Sequence, residues 1–214
     1  MNEPFSRFFL RIKTTPPLPD LCFTHSCLQH QIAALHYLLS HSSSETVSLL
    51  CFSLPSFLPV LLAHVELGDI TSLVALRILS LMATISTETS VHLSLLHADV
   101  VGIALGIART TQEAMIQAAV ILLLGLCTGP CNIIASSKIA EDPGCLRIVH
   151  KLINEVSHRR AAGEVLRCLM GSKEGVARCR EHSDEVELMV GGTLLARSWK
   201  MMRSLVKPSH LGCK

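Results

Sequence analysis

The sequence predicts an all-α protein built as an array of about four helical repeats, and three observations carry that prediction. The segment Gln31-Ile-Ala-Ala-Leu-His-Tyr-Leu38 returns as Ala75–Met82, Ala119–Leu126 and Ala162–Leu169. Leu35, Leu79, Leu123 and Leu166 are spaced 44, 44 and 43 residues apart, and Leu38, Met82, Leu126 and Leu169 each follow three positions later. Such spacing lays one apolar stripe along a helix. A stripe that returns at a fixed period in the low forties marks a helical array. Composition agrees: apolar residues are 49% of the chain but Phe, Trp and Tyr only 4%, so Leu, Ile, Val and Ala build the interior. Nowhere do strand formers alternate with polar residues over a useful length.

Taken in order, residues 1–20 end in Thr-Thr-Pro-Pro-Leu-Pro-Asp20 and read as a disordered leader or linker. The repeat domain is expected over 21–207 and a tail over 208–214. Its first striped helix runs from Ser26 to Ser40, where His41-Ser-Ser-Ser44 breaks it and offers hydroxyl caps. A short helix from Glu45 to Phe52 is closed by Leu54-Pro55, and Ser56 opens the next, with Pro59 near its start, where proline is tolerated. Gly68-Asp69 precedes the second striped helix over 70–86. Thr87-Glu88-Thr89 caps a short helix to His97, Asp99 caps one to Ala108, and Thr110-Thr111 starts the third striped helix, which Thr128-Gly129-Pro130 ends. A third round has a short helix to Ala140, the turn Glu141-Asp-Pro-Gly144, and a helix from Cys145 to Val156. Ser157 caps the fourth striped helix, which ends at Gly171. A short helix over 173–182 and a longer one from Asp184 toward Val206, stopped by Pro208, close the pattern.

Short, medium and long helices at this period resemble the armadillo repeats of the armadillo/HEAT class. The four stripes look like that family's third helix, and Leu58-Pro59-Val60-Leu61 looks like its second-helix Ile-Pro-x-Leu signature. The resemblance covers residues 26–200 and implies a right-handed α-solenoid whose third helices line a concave face. Ile139-Ala-Glu-Asp-Pro-Gly-Cys145 and Ser172-Lys-Glu-Gly175 also resemble segments in the armadillo arrays of plant U-box ubiquitin ligases. No U-box, with its Cys-Pro-Ile start, accompanies them. That resemblance implies, at most, the substrate-holding half of such a system.

Chemistry-bearing clusters are sparse. Cys22, His25, Cys27 and His30 supply four soft ligands within nine residues, but their spacing straddles a loop and a helix start and matches no closed zinc motif. Cys168, Cys179 and His182 could approach across one turn yet lack a fourth ligand. Cys127 and Cys131 bracket an inter-helix turn, where core packing is the expectation rather than redox chemistry. No phosphate-cradling glycine loop and no Gly-x-Ser-x-Gly elbow occurs. The carboxylates gather at helix starts (Glu45, Asp69, Asp99, Asp184), where they favour the helix dipole. The expectation is therefore a protein with no enzymatic activity, no cofactor and no bound metal.

Nine cysteines with no secretory signal point to a reducing compartment, the cytoplasm or nucleus, with free thiols. Charge is uneven: residues 1–144 carry six Lys/Arg against ten Asp/Glu, and residues 145–214 carry thirteen against seven. A basic end of this kind suits nucleic acid, but the scarcity of aromatics disfavours it. Thr46–Val65 and Ala114–Ser137 carry no charge and are long enough on paper to span a bilayer. Prolines and the Thr128-Gly-Pro130 break argue for buried solenoid helices instead, with a multi-span membrane protein as the alternative.

Function is expected on the concave face. Two and six positions after the first residue of each stripe stand Ala33 and Tyr37, Arg77 and Leu81, Ile121 and Gly125, Glu164 and Cys168. The Trp and Asn ladder of armadillo peptide binders is missing, so an amphipathic helix or another protein surface suits this groove better than an extended peptide. The expected activity is that of a scaffold or adaptor, binding a protein segment through Tyr37, Arg77, Leu81, Ile121 and Glu164. Arg159, Arg160 and Arg167 would add a basic patch. The array starts and stops out of phase with the triplet, so its ends are expected to be apolar, pointing to a fragment, a short isoform, or an end covered by a partner or by self-association.

Overall fold

The computed structural model describes residues 54–66, 70–191 and 199–200. The striped helix over 26–40, the helix over 45–52, Tyr37, the Cys22–His30 cluster, the leader and the tail all lie outside the described residues. Within them the chain is all-helical, with no strand. The bounded helices are α1 Leu54–Glu66, α2 Ile70–Ile85, α3 Thr89–His97, α4 Val100–Ala108, α5 Glu113–Thr128, α6 Asn132–Glu141, α7 Cys145–Asn154, α8 Arg159–Leu169, α9 Lys173–Glu181 and α10 Ser183–Val190.

Several expected boundaries move, each for a local reason. Helix α1 begins at Leu54, two residues before Ser56, so Pro59 stands well inside it. Proline there deprives the carbonyl four residues earlier of its helical donor. Glu88, the residue before α3, makes no side-chain cap. Thr110 does not open α5, because its hydroxyl and its amide both turn back to Ile107 O, at 2.7 and 2.9 Å, and close α4. Nor does Ser157 cap α8: its hydroxyl donates to Glu113 Oε1 at 3.0 Å, and His158 takes the cap position. The long helix from Asp184 ends at Val190. Gly191 takes the C-cap, and the rest of the helix expected toward Val206 falls, apart from Trp199 and Lys200, outside the described residues.

Asp99 does cap α4 as its sequence suggests. It sits in the left-handed region at φ 52°, where a short polar side chain is tolerated, and its carboxylate accepts the Gly102 amide. Ser172 caps α9 by accepting the Gly175 amide at 3.0 Å.

The stripes form the core. Leu79, Met82, Leu123, Leu126, Leu166 and Leu169 are all buried. Full burial of one such side chain is worth about 1.5–3 kcal/mol, so the stripes hold α2, α5 and α8 together. Helix α2 lies along α5 in the most extensive helix contact, and α5 lies along α8. The same offset of three elements pairs α6 with α9 and α7 with α10.

Side-chain bonds repeat this offset. Lys138 on α6 donates to Leu96 O at the end of α3 (2.6 Å), Lys151 on α7 to Thr110 O just past α4 (3.3 Å), and Arg178 on α9 to Ala140 O at the end of α6 (3.1 Å). A cation at the carbonyl end of a helix satisfies orphan acceptors and opposes the negative end of the dipole. Ser80 Oγ reaches Ala118 O (2.8 Å), Cys131 Sγ reaches Thr89 O (3.8 Å) and Ser137 Oγ reaches Glu174 Oε2 (2.7 Å). These six bonds join residues 37 to 42 apart. Each of these helices is thus fastened to the helix three elements away.

Candidate partner-binding cleft

Between α2 and α5 lies an open cleft of about 330 Å³. Its lining includes Arg77, Leu81, Thr84, Gln117, Ala118 and Ile121. Three of the residues singled out from sequence, Arg77, Leu81 and Ile121, therefore come together. Their helices approach closely because Gly125 has no side chain: a β-carbon there would stand 2.9 Å from the Ala83 carbonyl carbon and from Thr84 Cγ2. The sixth ladder position on α5 is small for this reason.

Polar groups in the cleft divide into committed and free. Ser80 spends its hydroxyl on the carbonyls of Leu76 and Ala118, both at 2.8 Å, and Thr84 spends its own on Ser80 O at 2.8 Å. Arg77 is exposed and makes no hydrogen bond or ion pair among the described residues. Gln117, one turn before Ile121, likewise leaves its carboxamide free among them. The cleft thus offers one guanidinium and one amide beside the apolar Leu81 and Ile121. Ile121 is 39% exposed, high for a large apolar side chain on a core helix. Inspection of the second and sixth positions alone misses Gln117; extending the same face by one turn finds it.

The remaining candidates lie elsewhere. Glu164 on α8 is half-buried and accepts from Arg167 Nε at 2.6 Å, so these two predicted charges satisfy one another. Arg159 donates to Ile153 O at 3.0 Å, leaving Arg160 as the exposed guanidinium of the three that makes no bond among the described residues.

Cys127 and Cys131 are both buried, the core packing expected of them. The Cys127 thiol shares a hydrogen bond with Cys168, from the next striped helix. That bond, with Arg167 alongside, pulls the half-buried Cys168 thiol down to about 7, and the same bond with burial pushes the Cys127 thiol up. Cys179 stands near Cys145 rather than Cys168, and burial raises these two thiols to about 12 and about 11. Cys168, Cys179 and His182 do not converge on a common ligand site.

Among the described residues no single helix is long and apolar enough to cross a membrane. Helices α3 and α4 together have the length and composition but bend by 65° at their junction. Nine of their residues, from Val91 to Ala108, are buried against the rest of the protein. The uncharged stretch 114–137 is likewise divided, into α5 and α6. The chain matches no protein-family model, no curated protein and no solved structure.

Proposed function

We propose that this chain is a non-catalytic protein-interaction module, a right-handed solenoid of about four armadillo-like units that binds a partner segment in the α2–α5 cleft. The three-element offset in packing and the bonds that repeat at 37 to 42 residues support the stacked-repeat reading. One observation carries the functional part. Among the described residues the Arg77 guanidinium is unpaired, and it borders a cleft in which Leu81 and Ile121 are also presented. The partner that complements it is an amphipathic helix with a carboxylate one turn from a Leu- or Ile-like side chain. The acid meets Arg77, the apolar residue covers Ile121, and Gln117 reads a backbone or amide group.

Selection from a displayed library of helical peptides tests this. Enrichment of an acidic residue three or four positions from an aliphatic one, lost on Arg77→Glu, is the expected result. Enrichment of basic or wholly apolar peptides, or indifference to Arg77→Glu, would overturn the assignment.

A further inference from the structure

At the other end of the same long helices a second group of side chains converges. Glu113 is the first residue of α5, Glu155 follows α7, and His158 precedes α8. One ligand atom from each lies within 4.8 Å of the other two. His158 is only 2% exposed, and its Nε2 is 3.0 Å from Glu113 Oε1 and 3.5 Å from Glu155 Oε2. Neither contact has the geometry of a hydrogen bond, so Nε2 lies buried between two carboxylates without a hydrogen-bond partner. An unsatisfied buried nitrogen is costly, and an off-axis carboxylate does little to relieve it.

A cation accounts for this arrangement. Ligand atoms at about 2.0–2.2 Å from a tetrahedral zinc ion stand about 3.3–3.6 Å from one another, each displaced from the other's axis toward the metal. The 3.5 Å His158–Glu155 contact falls within that edge length, and the 3.0 Å His158–Glu113 contact is shorter by a few tenths of an ångström. Ser157 donates to Glu113 Oε1 at 3.0 Å and so fixes the orientation of that carboxylate.

We infer that Glu113, Glu155 and His158 form a binding site for a divalent transition cation of the zinc class, with water in the fourth position. Bound there, the ion ties the start of α5 to the α7–α8 turn, fastening two successive units at their exposed edge. Nothing in this site depends on the cleft.

The test uses the full chain with accessible thiols blocked by iodoacetamide, because nine cysteines would otherwise compete for metal. Zn²⁺ is titrated calorimetrically, and Co²⁺ is added as a spectroscopic probe. The expected result is one equivalent bound, with a visible tetrahedral Co²⁺ band and no thiolate charge-transfer band. Glu113→Gln and Glu155→Gln should each weaken binding about tenfold or more while the far-UV circular dichroism stays unchanged. Absence of uptake, a thiolate signature, or affinity indifferent to both substitutions would overturn the site.

Discussion

His92 closes over Gly129: a β-carbon on residue 129 would stand 2.0 Å from His92 Cε1. This contact fixes the end of α5 against α3. His92 is fully buried and bonds through Nε2 to Ser86 O at 3.0 Å. Gly129→Ala must push the ring or the α5 terminus aside. A destabilisation of about 1–3 kcal/mol is expected from such overpacking, read as a lower urea midpoint.

The same ring gives stability a pH dependence. Burial lowers the His92 pKa below its ordinary 6.5, and the Ser86 bond only partly offsets this. Below 6.5 the unfolded chain therefore binds more protons than the folded one. The contribution of neutral His92 is complete above 6.5 and is lost as pH falls below it. Urea midpoints at pH 7.5 and 5.5 should show this loss, and His92→Gln should reduce the difference between them.

The stripes predict a stability ladder. Leu79→Ala and Leu123→Ala each remove a buried side chain from the α2–α5 seam and should cost about 2–5 kcal/mol. Arg77→Ala, at an exposed position, should stay within about 0.5 kcal/mol of wild type. Equal losses at all three positions would contradict the division between core and cleft.

Thiol reactivity should be ordered by environment. Cys168 is the half-buried member of its pair and carries the lowered value, so among the described cysteines it should alkylate first near pH 7. Cys127, Cys145 and Cys179 are buried and raised, and should react only as the protein unfolds. Mass spectrometry of iodoacetamide adducts over time gives the order directly.

Much of the fold was legible because periodicity alone selects the buried face: Leu79, Leu123 and Leu166 are core residues, as their spacing requires. Helix starts were less legible wherever a hydroxyl had two uses. Thr110 and Ser157 both look like caps, yet one closes the preceding helix and the other reaches a carboxylate 44 residues away. Arg77, Leu81 and Ile121 were readable as one cleft because Arg77 and Ile121 hold equivalent positions on adjacent stripes and Leu81 lies one turn after Arg77 on the same face. Pairings between units were not. Cys127 with Cys168, and Ser157 with Glu113, depend on the lateral offset between neighbouring helices, which no local spacing encodes.

The most direct test of the central claim is site-specific photo-cross-linking from the cleft. A photoreactive residue replaces Gln117, with a control at exposed Arg147 on α7, and adducts with a library-selected acidic amphipathic peptide are identified by mass spectrometry. The account predicts an adduct from position 117, none from position 147, and loss of the first when Arg77→Glu is added. No adduct from position 117, or one that persists unchanged in Arg77→Glu, would contradict it.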